Sequence, residues 1–414
     1  MYGGSCESIC FITMNILFIH PAALGQFEYL APALANDPSH QVVFLCRSVC
    51  SQIPPGVRVK KYQVDKEWLP PLKAAIWEAE AVFWAIRALE KEDSFRPDLV
   101  VGHGGWGSML YVKAACPTAR MVSYLEWYFC VPPGVEDAWF LGRTPEEISV
   151  LLTQRNAPIL SQMEASDAMF APTEWQKSRF PAVYRPGIRV IHEGVDDKFY
   201  FPHKEDGRAL ENLVPGLCGQ EEIVTFVSRG LEPTRGFPQF MDAVRLLLAR
   251  RPHCHVVIVG DEKTHYGSKP KDGKTWKQAE IEKGGFDAKR VHFTGRISTD
   301  DFRTLLWVST VHVYLTTPFI LSWSMLQAMS AGCCLVASAV EPVEEVVEDG
   351  VNGLLADIRS PERIAERIEQ ALSDASLRER LGFSARQTIM DRFRLDTCLQ
   401  KQTELLFGTE ENAL

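Results

Sequence analysis

The sequence predicts an α/β protein built from two doubly wound domains that face each other across a cleft. Short apolar runs typical of buried parallel strands alternate with helix patterns along most of the chain. A polar stretch that contains proline and glycine, Asp196–Gln220, interrupts this alternation, and a second alternating series follows it. With 414 residues the chain is also too long for one ordinary hydrophobic core.

The first series consists of apolar segments separated by helix patterns. Its predicted strands are Asn15–His20, Gln41–Cys46, Val57–Val64, Asp98–Gly102, Arg120–Leu125, Ala168–Ala171 and Ile188–His192. Polar residues interleave in Val57–Val64, which indicates a position nearer the edge of the sheet. The predicted helices are Gln26–Ala35, Leu72–Leu89, one that starts at Trp106, one over about Pro145–Ser166, and one capped by the T-x-x-Q pattern of Thr173 and Gln176.

The second series repeats this alternation after the polar stretch. Its predicted strands are Ile223–Ser228, His255–Val259, Val291–Thr294, Val311–Leu315 and Cys333–Ala337. The predicted helices are Pro238–Ala249, Asp300–Val308, Trp323–Ala331, Val343–Glu348, Pro361–Leu372 with Ser360 as its N-cap, Ser376–Arg392 and Asp396–Phe407. The Lys-rich segment Lys263–Lys277 is interpreted as a solvated or mobile lid.

These patterns predict the domain organisation. Residues 1–13 are expected to be a disordered extension, residues 14–195 the first domain, residues 196–220 the linker and residues 221–392 the second domain. Residues 393–414 are expected to form a C-terminal helix that packs back on the first domain.

Composition narrows the possible partners and the compartment. A net charge of -9 argues against nucleic acid or an anionic membrane as a general partner. The 11 cysteines are scattered, with no C-x-x-C and no Cys/His cluster, which is typical of reduced thiols in a cytoplasmic protein. No Lys or Arg precedes the apolar run near the N-terminus, so a signal peptide is not expected. No apolar run reaches the roughly 18 residues of a spanning helix.

Two segments of the second series have the chemistry of an anion site. Ser322 is placed to cap the helix that starts at Trp323, whose free backbone N–H groups can bind an anion, and Gly332 is placed to end that helix. Arg229 and Arg235 flank a Gly-containing turn between a strand and a helix, where two permanent cations can hold a diphosphate. An ordinary βαβ crossover with solvated arginines remains the alternative. No Asp-x-Asp is present, so no metal site is predicted.

The first series offers polar groups at strand ends. Gly25 follows the first strand, where a missing Cβ lets a ligand approach the backbone. His103 and Glu126 follow two further strands and are expected at the same edge of the sheet. A tight turn at His103 and a structural carboxylate at Glu126 remain the alternatives.

The chain resembles a family-4 glycosyltransferase with the GT-B fold, which has two Rossmann-like domains, over nearly all of Asn15 to the C-terminus. Four segments carry the resemblance: HPAALGQFEYLAPALA, APTEWQKSRFP with VIHEGVD, SRGLEPTRGFPQF, and LSWSMLQAMSAGCCLVAS followed by EEVVEDGVNGLL. The third is similar to the family's donor motif, with Arg235 where Lys is usual. The last is similar to the family's C-terminal signature.

The resemblance implies roles for single residues. Arg229 and Arg235 would neutralise the donor diphosphate, and Glu126 with His103 would act catalytically, with Glu126 standing where many members have a His. The donor is expected to contact Gly25, Ile297, Phe319, Leu321, Ser322, Trp323 and Gln327. Phe319 and Gln327 occupy the positions of two Glu residues in the family pattern, so the site is less charged than usual. Trp106, Trp127, Tyr128 and Phe129 would line an aromatic mouth for the acceptor.

The activity implied is the transfer of a sugar from a nucleoside diphosphate donor, a UDP-sugar by family frequency, to an unidentified acceptor. The first domain would bind the acceptor and the second the nucleotide sugar. The anomeric configuration would be retained, and neither metal nor cofactor would be needed. Two alternatives stay open: a nucleotide-sugar epimerase of the same fold, and a non-catalytic protein that binds nucleotide sugars.

Overall fold

The computed structural model describes residues 14–49, 52–64, 69–131, 142–204, 208–211, 213–220, 222–270 and 272–408. Contacts divide the chain into two compact units. Unit 1 holds the described residues of Met1–Phe129, Ser149–Glu193 and Cys398–Leu414, and unit 2 holds those of Cys130–Ile148 and Gly194–Thr397. The predicted extension, residues 1–13, lies outside the described residues, and the domain boundaries derived from the sequence stay predictions.

Unit 1 is built on a parallel sheet. The strands described are β1 (Met14–Ile19), β2 (His40–Cys46), β3 (Val57–Lys61), β4 (Leu99–His103), β5 (Arg120–Tyr124), β6 (Ala168–Ala171) and β7 (Ile188–Val190). Their order is β3-β2-β1-β4-β5-β6-β7, and all neighbours run parallel. Because the chain moves from β1 outward to β3 and returns to β4 on the other side of β1, the carboxyl ends of β1 and β4 form a topological switch point.

Helices cover both faces of this sheet. They are α1 (Leu30–Ala35), α2 (Pro71–Asp93), α3 (Val112–Ala115), α4 (Pro145–Ala165) and α5 (Glu174–Arg179). Alternate residues of β1 enter two different apolar clusters, Ile16 and Phe18 in one and Leu17 and Ile19 in the other. A strand buried on both faces is continuously apolar, as the sequence of β1 is.

Unit 2 repeats the same plan. Its described strands are β8 (Glu222–Gly230), β9 (Cys254–Asp261), β10 (Val291–Gly295), β11 (Val311–Tyr314), β12 (Leu335–Ser338) and β13 (Leu354–Ala356), in the parallel order β10-β9-β8-β11-β12-β13. The helices are α6 (Phe237–Arg250), α7 (Trp276–Lys283), α8 (Thr299–Val308), α9 (Trp323–Ser330), α10 (Glu341–Glu344), α11 (Pro361–Ser373) and α12 (Ala375–Arg392). The switch point lies between β8 and β11.

The last helix, α13 (Leu395–Phe407), belongs to unit 1 from Cys398 onward. The side chain of Arg120 on β5 donates to the backbone oxygen of Leu406 over 3.0 Å. Gln402 donates from its side chain to the backbone oxygen of His192 over 2.8 Å. These bonds hold the helix against the sheet of unit 1.

Several local predictions are confirmed. Both sheets are parallel, and β3 lies at an edge. Ser322 and Ser360 accept hydrogen bonds from the first turns of α9 and α11, as N-caps do. Gly332 follows α9 with a φ of 76°, the left-handed conformation that favours glycine at this position.

Two predicted helices of unit 1 are wrong in extent. No α-helix starts at Trp106. Gly107 adopts a left-handed φ of 88°, and a Cβ placed on it would lie only 2.5 Å from the backbone oxygen of Ala75. The helix there is only α3. The predicted helix Gln26–Ala35 is a short 3₁₀ turn followed by α1, because Pro32 is tolerated only in the first turn of an α-helix.

In unit 2 the sequence interpretation missed two elements and misplaced a third. Helix α7 begins at Trp276, within the predicted Lys-rich segment, where Thr275 and Gln278 form a capping box. The sequence carries the signal for this box in the same T-x-x-Q pattern that was recognised at Thr173. The three-residue strand β13 is too short to show a pattern. Helix α10 (Glu341–Glu344) starts two residues before the predicted helix Val343–Glu348 and overlaps only its first two residues.

Candidate functional site

The loop after β8 carries the two predicted arginines of unit 2. Arg229 is the next-to-last residue of β8, and Arg235 ends a short 3₁₀ turn just before α6. Gly236 joins the turn to the helix with a φ of 65°, and a Cβ there would lie 2.5 Å from Leu315 Cβ. Glycine therefore lets this loop approach the carboxyl end of β11 closely.

Arg235 is buried, with 6% of its surface exposed, and is held in a fixed position. Its Nη1 donates to Tyr314 Oη over 3.0 Å, Thr316 Oγ1 over 3.1 Å and the backbone oxygen of Ile320 over 3.0 Å. Nε and Nη2 donate to no group in the described part of the chain. A buried guanidinium with two nitrogens unused is suited to bind an anion.

The start of α9 is tied to the same arginine. Ser322 Oγ accepts a hydrogen bond from the backbone N–H of Ser324 over 3.3 Å. The backbone N–H of Ser322 donates to Tyr314 Oη over 2.9 Å, and this hydroxyl also accepts from Arg235. The positive end of a helix and a guanidinium thus share one anchoring hydroxyl.

An aromatic pair lies against both arginines. Arg229 is exposed, and its Nη1 donates to Tyr266 Oη over 3.2 Å. The ring of Tyr266 packs against that of Phe319 with centroids 5.0 Å apart. The guanidinium of Arg235 lies 4.9 Å from the centre of the Phe319 ring. Tyr266 was missed because a tyrosine in a polar loop carries no pattern of its own.

Glu232 connects the arginine loop to the segment that carries Tyr266. The residue is fully buried, and its Oε2 accepts from the backbone N–H groups of His265 and Tyr266 over 2.9 and 2.8 Å. Burial raises the pKa of this carboxyl to about 7, against the opposing effect of the two N–H groups and of Arg235 and Arg229.

The other donor residues predicted in unit 2 differ in their burial and in their contacts. Phe319 is 3% exposed. Ile297 and Leu321 are half-buried, and both pack against the apolar cluster that includes Met325 and Met329 of α9. Trp323 and Gln327 are half-buried on α9, and the Gln327 side chain makes no hydrogen bond within the described chain. The contacts above bring Arg229, Arg235, Phe319 and Ser322 together; none of them joins Gln327 to the arginines.

In unit 1, His103 and Glu126 meet at the carboxyl ends of β4 and β5. His103 Nε2 lies 3.1 Å from Glu126 Oε2. The backbone N–H of Gly105 donates to His103 Nδ1 over 2.9 Å, which leaves Nε2 as the protonated nitrogen that donates to Glu126. Gln26 Nε2 donates to the other carboxylate oxygen over 2.7 Å. The predicted pair is therefore one hydrogen-bonded group.

The protonation of this group follows from its surroundings. Burial raises the pKa of Glu126, but the hydrogen bonds from His103 and Gln26 and the nearby imidazoles outweigh it and lower the pKa below its usual value. Glu126 is therefore a carboxylate near neutral pH. Burial, followed by the electrostatic interaction with His103, lowers the pKa of His20 to about 4, so His20 is neutral.

Three rings cluster around the switch point of unit 1. The rings of His20 and His103 are 5.5 Å apart, and Trp106 lies 5.0 Å from the first and 4.3 Å from the second. Gly25, with a φ of 45°, packs directly on the His20 ring, and a Cβ would overlap that ring. His20 was not predicted as a site residue, although its place at the end of β1 carries the same signal as that of His103.

The residues of the predicted aromatic mouth differ in exposure, and the mouth itself stays a prediction. Trp106 is 39% exposed. Trp127 is 8% exposed and packs on Trp175, with ring centroids 5.7 Å apart. Tyr128 packs on Phe180 at 5.5 Å. Trp127 belongs to the interior of unit 1 because its ring is covered by this neighbour.

Within the described residues, no group of three or more His, Cys, Asp or Glu side chains is placed to hold a metal ion. No helix among them is long and apolar enough to cross a membrane.

Comparison with known families gives two adjoining matches. Residues 38–199 match a family model described as "Glycosyl transferase family 4 group", and residues 214–388 match one described as "Glycosyl transferases group 1". Spore coat protein SA of Bacillus subtilis is 29% identical over 52% of this chain and 57% of its own length. D-inositol 3-phosphate glycosyltransferase of a Nocardioides species is 25% identical over 60% of this chain and 54% of its own. The chain thus spans a little over half the length of these curated relatives.

Solved structures are similar over nearly the whole chain. Sucrose-phosphate synthase from Thermosynechococcus elongatus superimposes with a TM-score of 0.72 at 19% identity, covering 96% of this chain and 100% of that one. Anabaena HepE, solved in complex with UDP-glucose, gives a TM-score of 0.69 at 18% identity over 95% of this chain and 100% of its own. At such identities the likeness shows the fold.

Proposed function

Because the chain belongs to the family-4 glycosyltransferases and has the two Rossmann-like domains of the GT-B fold, we propose that it transfers a sugar from a nucleoside diphosphate donor to an acceptor. One observation carries the proposal. Arg235 is buried and fixed by three hydrogen bonds from a single nitrogen, and its other two nitrogens have no partner in the described chain. A buried positive charge with two free donor nitrogens is suited to bind an anion.

The anion proposed is the diphosphate of the donor. Arg235, Arg229 and the N–H groups at the start of α9 neutralise the negative charge that develops on the diphosphate as the sugar–oxygen bond breaks. These groups are all cations or backbone donors, so the reaction proposed needs no metal ion. We further propose retention of the anomeric configuration, with the departing phosphate accepting the acceptor's proton. The complex of HepE with UDP-glucose supports a UDP-sugar as donor.

Unit 1 is proposed to bind the acceptor. The carboxylate of Glu126, flanked by the donors of His103 and Gln26, is fixed at the carboxyl ends of the strands, where open α/β sheets bind ligands. It can accept a hydrogen bond from an acceptor hydroxyl. Gly25 as a donor contact, and the predicted cytoplasmic location, stay predictions.

The proposal is tested by incubating the protein with UDP-, GDP- and ADP-sugars and measuring nucleotide release by mass spectrometry. We expect the protein to release one of the three nucleotides, and to release it faster when a fraction that contains the acceptor is added. EDTA should leave the rate unchanged, and NMR of the product should show the anomeric configuration of the donor. Conversion of the sugar without release would instead identify an epimerase.

A non-catalytic protein that binds nucleotide sugars is the second candidate. It is favoured by Phe319, whose buried ring stands where the family pattern has a carboxylate. Calorimetric binding of a nucleotide sugar without release of nucleotide in any acceptor fraction would support this candidate and contradict the transferase.

A further inference from the structure

Tyr266 is the one aromatic side chain whose ring lies within reach of both arginines of the donor site, among the residues described. Its ring centre is 5.9 Å from the Arg229 guanidinium carbon and 6.0 Å from that of Arg235. Its edge packs on Phe319, which itself lies against Arg235. The tyrosine therefore occupies a fixed place between the two cations.

The segment that carries Tyr266 is fixed against the arginine loop. The buried carboxylate of Glu232 accepts from the backbone N–H groups of His265 and Tyr266. A Cβ at Gly230 would lie 2.7 Å from the backbone oxygen of Lys263 and 2.8 Å from His265 Cδ2. Only glycine lets the segment approach so closely. At this end, the Lys-rich segment predicted to be a mobile lid is anchored to unit 2.

Among the described residues, the hydroxyl of Tyr266 accepts a hydrogen bond but donates none. Its oxygen accepts from Arg229 Nη1 over 3.2 Å, so the O–H bond points elsewhere. No acceptor for this proton occurs among the described residues, and the side chain is half-buried, within reach of a ligand. A hydroxyl that already accepts from a guanidinium is polarised toward donating to an anion.

We propose that Tyr266 is a third phosphate-binding side chain of the donor site, donating its hydroxyl proton to an oxygen of the diphosphate that Arg229 and Arg235 bind. This inference rests on the proposed function and names a further residue of the same site. The packing of Tyr266 on Phe319 fixes the position of the hydroxyl oxygen.

Tyr266→Phe tests the proposal because it removes the hydroxyl and keeps the ring. Binding of UDP and of uridine is measured by calorimetry, together with the melting temperature. Tyr111→Phe is the matched control, since Tyr111 is an exposed tyrosine of unit 1. Losing a hydrogen bond to a charged group should weaken UDP binding by roughly tenfold to a hundredfold. Uridine binding and the melting temperature should stay the same.

The possible outcomes distinguish a failure of the Tyr266 proposal from a failure of the proposed transferase function. If the wild-type protein binds UDP more tightly than uridine and Tyr266→Phe keeps that preference in full, Tyr266 does not bind phosphate and only this inference is overturned. If the wild-type protein binds none of UDP, GDP and ADP more tightly than the corresponding nucleoside, the diphosphate site is absent. Both proposals are then overturned.

Discussion

At the scale of single residues, the two candidate clusters use charge differently. In unit 2 the groups are permanent cations, so their charge does not depend on pH near neutrality. In unit 1 the Glu126 carboxylate is kept ionised by donors that surround it, chiefly the hydrogen bonds from His103 and Gln26. The first arrangement suits a leaving diphosphate, and the second suits a neutral hydroxyl that must be oriented.

Glu126→Gln should lower the rate of transfer to the acceptor while leaving donor binding unchanged. The amide has one acceptor oxygen and no charge, so it cannot accept from both His103 and Gln26 as the carboxylate does. Loss of a charge-assisted hydrogen bond of this kind costs about 1.5–3 kcal/mol, or roughly tenfold to a hundredfold in rate.

The measurement compares transfer rates with calorimetric UDP affinity in the same preparation. Glu174→Gln, an exposed glutamate of unit 1 at the start of α5, serves as control. An unchanged transfer rate in Glu126→Gln would show that the carboxylate only supports the local fold.

The sequence predicts some site residues better than others, for physical reasons. Arg229 and Arg235 are predictable because they flank a turn of few residues whose place after a buried strand is evident from the pattern. Tyr266 is not, since its position depends on hydrogen bonds to Glu232, more than thirty positions away in the chain. His20 could have been predicted from its place at the end of β1.

At the scale of elements, the start of α9 has both a structural and a binding role. Ser322 caps the helix and its backbone N–H is anchored to Tyr314. Helix α11 has the same kind of cap, Ser360, which makes none of the site contacts described above. The pair offers a comparison in which the structural effect is common and the binding effect is not.

Ser322→Ala and Ser360→Ala should each reduce the free energy of unfolding by about 1 kcal/mol, the usual contribution of an N-cap. Only Ser322→Ala should also weaken UDP binding, because it loosens the N–H groups that face the anion. Denaturant unfolding curves and calorimetry on both variants provide the measurement. Equal UDP affinity in the two variants would remove α9 from the binding site.

Element boundaries show where the sequence is a weaker guide. Helices with clear caps were placed within a residue or two, as α9 and α11 show. The helix expected at Trp106 is absent because Gly107 has a left-handed backbone, at a point where a Cβ would overlap Ala75 of a different helix. A tertiary contact of this kind leaves no local pattern.

At the scale of the whole molecule, each unit buries both faces of a parallel sheet, and some titratable groups are buried with it. His312 on β11 is fully buried, with Nδ1 2.8 Å from Thr225 Oγ1. Burial lowers the pKa of His312 to about 3. The folded state thus binds this proton less readily than the unfolded state, so His312 favours folding fully above pH 6.5 and less and less as the pH falls toward 3.

His312→Asn should therefore flatten the loss of stability in acid. Between pH 7.5 and pH 5 the wild-type protein should lose about 2 kcal/mol more than the variant, the difference expected for a histidine that is protonated only when unfolded. Denaturant unfolding at both pH values measures the change, with the exposed His253→Asn as control. Parallel pH dependences for wild type and His312→Asn would contradict the assignment.

Arg235→Ala tests whether this buried arginine stabilises the leaving diphosphate. The measurement is the rate of nucleotide release from the preferred nucleotide sugar. Arg235→Lys serves as the charge-retaining comparison and Arg250→Ala, on the surface of α6, as the control. We expect a loss of about a hundredfold to a thousandfold for Arg235→Ala in folded protein, as for removal of one oxyanion donor, and a smaller loss for Arg235→Lys. Release at the wild-type rate from folded Arg235→Ala would contradict it.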